Sequence, residues 1–286
     1  AAQYGGGIYI DSNGPFTLSN SLISANYAEF SGGGLNSFNS PVLTNVTITN
    51  NYAEYRGGGM YHRGGDYSRV FPSLTNVTFF KNNAEDGGGL YNNSESTNII
   101  NSIFWENLPN QITDETNTVT TTFSTVQYGM VGEGNISTNP ELLELSDNGG
   151  PTETHALNTG SPAIDKGSPS VCPSTDQRGL ARPYDGDGDG ISRCDMGAYE
   201  WEKATLTINI NGNGSFNTNP SKPDYVAGEQ VELTAISESG WIFAGWSGDV
   251  TDFKNPVDII VFGDMVITVN FVEITDRLYF PAMFTK

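Results

Sequence analysis

A run of three glycines recurs four times in the first third of the chain and constrains the fold more than any other feature. The runs begin at Gly5, Gly32, Gly57 and Gly87, so successive copies start 27, 25 and 30 residues apart. Such spacings are typical of stacked supersecondary units, each too small to bury its own apolar face. The sequence therefore predicts a repeat protein over at least its first hundred residues.

Each repeat also contains an asparagine with apolar residues two positions before it and three positions after it. These residues, called the corner asparagines below, are Asn20, Asn45, Asn76 and Asn101. Six positions later comes a second set, Asn26, Asn51, Asn82 and Asn107. The apolar parity changes at the corner asparagine, which a continuous strand of period two does not allow. The pattern predicts a bend there, and asparagine ladders along a stack with a spacing of about 4.8 Å.

Short strands with corners at asparagine and glycine predict that each repeat is one turn of a parallel β-helix. An ankyrin-type helical solenoid has a similar period. However, Thr, Asn, Gly and aromatic residues predominate, and helix formers are sparse. The fold class predicted for this part is all-β.

The repeated phrases resemble those of polymorphic outer-membrane proteins and related surface β-helices. The matching positions are Ile23-x-x-Asn26, Ile48-x-x-Asn51, Phe79-x-x-Asn82 and Phe104-x-x-Asn107, and Gly-Gly-Gly-Leu/Met follows the first three. The resemblance covers roughly residues 1–128 and implies a right-handed parallel β-helix, which we place at 1–138 with a degenerate repeat over 111–127.

Residues 139–202 carry a different series of phrases, at 147–157, 160–165, 176–179, 182–183 and 195–200. In this order they resemble the choice-of-anchor Q module at the C-terminal end of secreted bacterial β-helix proteins. The resemblance implies a surface-destined protein whose β-helix ends in this segment.

Residues 203–273 alternate apolar and polar side chains in several short runs separated by glycine turns, which predicts a small β-rich domain. They resemble the divergent B-repeat module of internalin-type surface proteins. Trp241, Phe243 and Trp246 have faces suited to sugars, but in so small a module we expect them to form the core.

The tail, 274–286, is apolar and too short to span a bilayer. Its residues Leu278, Tyr279, Phe280 and Phe284 are candidates for self-association. The first repeat shows no atypical capping unit, so we expect the tail or the B-repeat-like module of one copy to cover the open end of the next. Such head-to-tail contacts would build a filament or surface layer. A sorting tag and an unoccupied processing end are the alternatives.

The chain has 286 residues and a net charge of 13 − 33 = −20. This charge argues against nucleic acid and anionic membranes as partners and favours divalent cations. The sequence contains no run of eighteen apolar residues, so no transmembrane helix is predicted. No leader peptide is recognisable. We expect an extracellular protein on a bacterial cell surface, with copies of itself, other surface components or carbohydrate as partners.

The most specific candidate site is the acidic loop that contains Asp185, Asp187 and Asp189. Three carboxylates at a spacing of two, separated by glycines, suit a hard cation such as Ca²⁺ in a structural role. The loop begins like an EF-hand, but its twelfth position is Met196, where that family has a bidentate glutamate. Asp195, or the more distant Asp176, is predicted to complete the metal shell. The alternative is a solvated acidic turn.

Two further features bear on function. Cys172 and Cys194, the only cysteines, flank the acidic loop and are predicted to form a disulfide. The two histidines, His62 and His155, are expected to be structural. Glu29, Glu54 and Glu85 recur at one repeat position, which favours a solvated edge over a catalytic cluster. These features predict a non-enzymatic structural or adhesive protein. The alternative is a carbohydrate-active β-helix enzyme with catalytic coils upstream of Ala1.

Overall fold

The chain forms two compact units, Ala1–Glu202 and Lys203–Lys286. The computed structural model describes residues 2–11, 16–64, 71–94, 96–261 and 263–274. Within these ranges every regular element is a strand, so the predicted all-β class is confirmed. Accordingly, the described ranges contain no helix capable of crossing a lipid bilayer.

The strands are short, as the close spacing of glycine and asparagine predicts. The first unit contains β1 (Ala2–Tyr4), β2 (Ile8–Ile10), β3 (Phe16–Ser24), β4 (Tyr27–Ser31), β5 (Leu35–Ser37), β6 (Pro41–Thr49), β7 (Tyr52–Ala53), β8 (Met60–Arg63), β9 (Ser73–Phe80), β10 (Leu90–Asn93), β11 (Thr97–Ile100), β12 (Ile103–Trp105), β13 (Ile112–Asp114), β14 (Val119–Thr122), β15 (Thr125–Val126), β16 (Leu142–Ser146) and β17 (Thr154–Leu157). The second contains β18 (Lys203–Ala204), β19 (Leu206–Asn211), β20 (Gly214–Asn219), β21 (Tyr225–Val226), β22 (Glu229–Ser237), β23 (Trp241–Gly248), β24 (Val257–Val261) and β25 (Met265–Glu273).

The repeats of the first unit stack through three parallel sheets. The first sheet has the order β1-β4-β7, and the second has β2-β5-β8-β10-β13. The third begins with β3-β6-β9 and continues through β11 and β12 to β14 and β15. In each of the first three repeats the chain visits the three sheets in the same order. Parallel sheets stacked by repeats, as the sequence predicted, are therefore present.

The bend predicted at the corner asparagine lies within the third sheet. Asn20, Asn45, Asn76 and Asn101 all have a positive φ, between 49° and 54°. Asparagine tolerates this left-handed conformation better than most residues. Strands on either side of the bend keep their pairing, for example Thr44 with Thr75 and Val46 with Val77. The change of apolar parity in the sequence therefore arises because one residue per repeat adopts the left-handed conformation.

Stacked apolar residues from the second and third sheets fill the interior. Leu35, Met60 and Leu90 occupy one register position of the second sheet, and each is fully buried. Phe79 and Phe104 stack in the third sheet with ring centroids 4.4 Å apart. The interior is closely packed along the stack because each repeat places an apolar side chain directly above the last.

The second set of asparagines forms a buried ladder beside this core. The Nδ2 atoms of Asn26, Asn51 and Asn82 each donate 2.9 Å to the Oδ1 of the next asparagine along the stack. At the far end, Asn107 donates to Gln111 at 2.7 Å, and Gln111 donates to Gln127 at 3.0 Å. A buried amide without partners is costly, so an uninterrupted ladder lets these polar residues lie inside.

The glycine triplets allow the backbones of neighbouring repeats to approach closely. Gly57 has a φ of 65°, which favours glycine over residues with a side chain. A Cβ on Gly34 would lie 2.6 Å from the carbonyl oxygen of Gly59 in the next repeat. The backbone amides at these positions instead bond directly between repeats, as from Gly34 to Gly58 at 3.0 Å.

Residues 139–202 lie along the side of the stack. They contain one antiparallel pair, β16 with β17, and pack on the outer face of the third sheet. Gln177 accepts a hydrogen bond from Thr47 at 2.7 Å, the Nε2 of His155 lies 3.0 Å from the Oγ1 of Thr49, and Ala198 donates to Thr78 at 3.0 Å. We call this segment the cover. The sequence placed it at the end of the β-helix, whereas here it hides one face.

The corner asparagines anchor the cover. Asn45 donates to the carbonyl of Thr175 at 2.7 Å, and Asn101 to that of Val171 at 2.6 Å. Asn76 donates to the carbonyls of Asp195 and Gly197, at 2.9 and 3.1 Å. One residue type thus turns the chain and presents an amide to the cover.

The second unit has a separate core between two three-stranded sheets. One sheet has the order β19-β25-β23, with β19 and β25 parallel, and the other is the antiparallel β20-β22-β24. Trp246 is buried in this core, and its Nε1 donates 3.1 Å to the carbonyl of Lys254. Trp241 and Phe243 pack against the same core. The three aromatic residues contribute to the core, as the sequence predicted.

Candidate functional site

A buried network of charges gives the cover its shape. The Nε of Arg178 donates 2.7 Å to the carboxylate of Asp176, and both side chains are fully buried. The guanidinium of Arg178 also lies 3.7 Å from the ring centroid of Tyr199. Arg182 lies 3.5 Å from Glu200 and donates to the carbonyls of Asp195 and Gly197. Paired and hydrogen-bonded in this way, the charges are tolerated inside.

Two carboxyl groups in this network resist ionisation. Burial raises the pKa of Asp195 well above its ordinary value, and the neighbouring Glu200 raises it further. Burial also raises the pKa of Glu200, to about 6. The backbone amides of Asp165 and Trp201 donate to Asp195, and those of Tyr184 and Asp195 donate to Glu200. Both side chains therefore tie chain segments together inside the cover.

The acidic loop is attached to this network through Asp165, a residue that the sequence had not singled out as a ligand. The buried Asp165 carboxylate accepts hydrogen bonds from the amides of Gly186 at 2.7 Å, Asp187 at 2.8 Å and Arg193 at 3.0 Å. Ligand oxygens of Asp165, Asp185 and Asp187 all lie within 4.8 Å of one another. These three carboxylates form the candidate cation site.

Two of the predicted ligands lie outside this group. Asp189 accepts from the amide of Ile191 at 2.7 Å and lies 3.8 Å from Arg193. The carboxylate of Asp195 accepts from the amide of Asp165 at 2.8 Å. Asp195 therefore supports the cation site indirectly: it hydrogen-bonds to Asp165, and Asp165 in turn binds the backbone amides of the acidic loop.

The loop carboxylates also have partners from the protein. Asp185 accepts from the amides of Gly188 and Gly190, at 2.9 and 3.0 Å. The Nζ of Lys166 lies 3.0 Å from Asp187, and this hydrogen bond lowers the pKa of the Asp187 carboxyl. Asp187 is thus ionised at neutral pH, and a cation would compete with Lys166 for it.

The two cysteines form a disulfide in the cover, with Cα atoms 5.8 Å apart. The carbonyl of Cys194 accepts from the amide of Gly167 at 2.8 Å, two residues after Asp165. The disulfide links Cys194, which follows the acidic loop, to Cys172, which precedes it.

The other predicted positions are less informative about chemistry. Both histidines are buried, and burial lowers the pKa of His62 to about 4 and lowers the pKa of His155. Both are neutral at pH 7. The self-association residues Leu278, Tyr279, Phe280 and Phe284 lie outside the described residues.

A second site lies beside the first sheet of the stack, where the sequence had suggested none. The rings of Tyr4, Phe30 and Tyr55 stack in a column along the repeats, with centroids 5.4 and 5.7 Å apart and interplanar angles of 23° and 14°. Phe30 is 38% exposed and Tyr55 is 48% exposed. Large apolar rings in an ordered, solvent-exposed column indicate a binding surface more than a core.

This column lines a groove of about 690 Å³, which we call the aromatic groove. Its aromatic residues are Tyr4, Phe30, Phe38, Tyr55 and Tyr61. Its polar residues are Ser31, Arg56, Arg63, Glu85 and Asp86. A concave site of this size, with apolar faces and a few polar groups, is typical of small-molecule and oligomer binding.

The glycine triplets separate the two sides of the aromatic groove in the sequence. Phe30 and Tyr55 each lie two positions before a triplet, and Tyr61 follows the triplet at Gly57. Three residues without side chains leave a gap between the side chains that flank them. The recurrence of an aromatic residue before successive triplets is the sequence signal that would have found this site.

Comparison with known protein families finds a match within the second unit. Residues 204–275 match the family described as the divergent InlB B-repeat domain, which confirms the resemblance predicted for this part of the chain. Neither the curated proteins nor the solved structures give a match.

Proposed function

We propose that this chain is a non-enzymatic structural or adhesive protein of a bacterial cell surface, built as a right-handed parallel β-helix with a B-repeat-like domain. The observation that carries the proposal is the match of residues 204–275 to the divergent InlB B-repeat domain, a kind of domain typical of bacterial surface proteins.

The stack supports the β-helix part of the proposal. Five repeats pair in parallel through the second sheet, and in the first three repeats the chain also passes once through each of the other two sheets. A path that turns in one direction and advances one strand spacing per turn is the geometry of a β-helix. The repeat similarity to polymorphic outer-membrane proteins supports the right hand.

The disulfide and the acidic loop support an extracellular setting. Disulfides persist in oxidising compartments, and this one lies within the cover, close to the candidate cation site. We assign Ca²⁺ to Asp165, Asp185 and Asp187 as a structural ion, because carboxylate oxygens are the ligands that calcium prefers. This revises the set of Asp185, Asp187, Asp189 and Asp195.

Location is tested by protease treatment of intact cells of the producing organism. Peptides from residues 1–202 should be released or labelled from outside, together with those of known surface proteins and without those of a cytoplasmic marker. Finding the chain only after lysis would overturn the surface proposal. Self-association through the tail stays a prediction, and light scattering of the chain with and without residues 277–286 measures it.

The alternative is a carbohydrate-active enzyme, which the presence of Glu85 and Asp86 in the aromatic groove favours. Pairs of carboxylates serve as acid and base or nucleophile in glycoside hydrolysis. Incubating the purified chain with neutral and acidic polysaccharides and measuring reducing ends and unsaturated uronic products separates the two readings. Turnover that Glu85→Gln and Asp86→Asn abolish would overturn the non-enzymatic proposal.

A further inference from the structure

The aromatic column forms an ordered strip of stacked rings rather than an irregular apolar patch. The rings of Phe30 and Tyr55 differ in orientation by only 14°, and those of Tyr4 and Phe30 by 23°. Their spacing follows the strand spacing of the stack, and because the rings stack on one another, the strip presents a row of ring edges in register. A ligand that fits it needs apolar faces repeated along its length.

Polar groups adjoin the strip within the same groove. The guanidinium of Arg56 lies 4.8 Å from the ring centroid of Tyr91, which holds its position. Asp86 accepts from Thr113 at 2.5 Å and from Asn110 at 3.4 Å, and its amide bonds to the carbonyl of Tyr55 at 2.8 Å. The groove therefore offers fixed donors and acceptors beside the rings.

The backbone of the groove limits what else it would take. An added β-strand needs free amides and carbonyls, but Ser31, Arg56 and Asp86 already bridge in parallel across three repeats. With a net charge of −20, the protein repels polyanions at long range. A neutral ligand with apolar C–H groups for the rings and hydroxyls for the neighbouring polar side chains matches this lining.

We propose that the aromatic groove binds a neutral polysaccharide, with sugar rings lying on the column Tyr4–Phe30–Tyr55 and their hydroxyls bonding to Arg56 and the carboxylates of Glu85 and Asp86. Aromatic rings contact the C–H faces of sugars, while carboxylate and guanidinium groups pair with hydroxyls. Binding is a property of the purified chain and is tested apart from its location, so either proposal can fail alone.

The test uses the full chain in affinity gel electrophoresis with a β-glucan, a mannan and a dextran as neutral probes, and with polygalacturonate as an acidic one. At least one neutral probe should retard the protein. Tyr55→Ala should weaken binding about two- to thirteenfold, since a lost aromatic contact is worth about 0.5–1.5 kcal/mol and 1.4 kcal/mol is tenfold. Tyr55→Phe, which keeps the ring, should bind within a factor of about three of the parent, because only one hydroxyl hydrogen bond is lost.

Tyr52→Ala is the matched control. Tyr52 is 42% exposed, lies in the same repeat as Tyr55 and stacks on Tyr27 at 5.7 Å, but it does not line the groove. It should bind as the parent does. The proposal is overturned if no neutral probe binds, if only polygalacturonate binds, or if Tyr52→Ala and Tyr55→Ala weaken binding equally. Affinity for a protein partner that Tyr55→Ala removes, without glycan binding, also overturns it.

Discussion

The outer face of the third sheet and the aromatic groove are built on the same repeats but end in opposite surroundings. Thr47, Thr49 and Thr78 point outward from the third sheet, yet all are buried beneath the cover. Phe30 and Tyr55 also point outward, and in contrast to the threonines both are exposed. The polar side chains are hidden and the aromatic ones face water, the reverse of what hydrophobicity alone predicts.

The difference shows what each face is for. Hydroxyls and amides give the cover a small number of directed hydrogen bonds, which fix one docking geometry. Among the residues that the structure describes, the column of rings has no hydrogen-bonded partner, so it is available to a ligand. The repeat supplies the spacing, and the residue at each outward position decides whether a face is closed by the chain itself or left open.

Removing the central charge of the cover should give the largest effect. Arg178→Met leaves Asp176 buried without its ion pair, and breaking such a pair typically costs about 3–5 kcal/mol. The midpoint of chemical denaturation should fall accordingly. Glu144→Gln, which breaks the exposed ion pair between the cover and Lys81 of the stack, should leave the midpoint nearly unchanged. Equal effects would contradict the assignment of the buried network as the support of the cover.

The free energy of unfolding should fall in acid because of His62, which is buried in the interior of the stack. Burial lowers the pKa of His62 to about 4, while an unfolded histidine titrates near 6.5. Between these values the unfolded chain binds the extra proton, so the free energy of unfolding falls as the pH falls, by on the order of 3 kcal/mol in total.

His62→Asn isolates this effect, because Asn92 occupies the same register position in the next repeat. Denaturation at pH 7 and pH 4.5 should show a smaller loss of stability for the variant than for the parent. The raised pKa values of Asp195 and Glu200 act in the opposite direction, but they are common to both proteins. A variant with the parent's pH dependence would show that His62 is not the titrating group.

The corner asparagines allow the two surroundings to be compared at one repeat position. Asn76→Ala removes the donor to the carbonyls of Asp195 and Gly197, whereas Asn20 is exposed and lies beyond the cover. Both residues have a φ near 50°, so alanine carries a backbone cost of roughly 1–2 kcal/mol at either position. Asn76→Ala should cost a further amount of about 1–3 kcal/mol, because two buried hydrogen bonds worth about 0.5–1.5 kcal/mol each are lost, although Arg182 still donates to both carbonyls. Equal losses would mean that the cover contributes nothing through Asn76.

How far the sequence predicts these features depends on the distance along the chain over which each signal acts. The bend at Asn45 and the ladder from Asn26 to Asn107 recur every repeat, so parity and spacing reveal them. The contact between His155 and Thr49 joins residues 106 apart, and nothing local to Thr49 distinguishes a covered threonine from a solvated one. The cover was therefore placed at the end of the stack.

The candidate cation site shows the same division. The spacing of Asp185 and Asp187 marks the loop, because both carboxylates lie within one short turn. Asp165 joins them only because the fold brings a residue from twenty positions earlier beneath the loop, and Asp195 was predicted as a ligand because it is close in sequence. Burial of Asp195 by the cover gives it a supporting role that sequence spacing does not reveal.

Calcium binding should have the smallest effect and bears on the cover alone. An ion that binds only the folded state stabilises that state by mass action, by about 1.4 kcal/mol when the free ion concentration is ten times the dissociation constant. For calcium sites of extracellular modules the dissociation constant is about 0.1–1 mM. Calcium at about 10 mM should raise the melting temperature relative to excess chelator.

Asp187→Asn should abolish that difference, because Asp187 belongs to the group formed with Asp165 and Asp185. Asp189→Asn, a change of equal charge in the same loop but outside the group, should retain it. Because no residue of the cover lines the aromatic groove, calcium should leave glycan binding unchanged. If both variants lose the calcium response, the ion is held by the charge of the loop as a whole, and the three-carboxylate site is wrong.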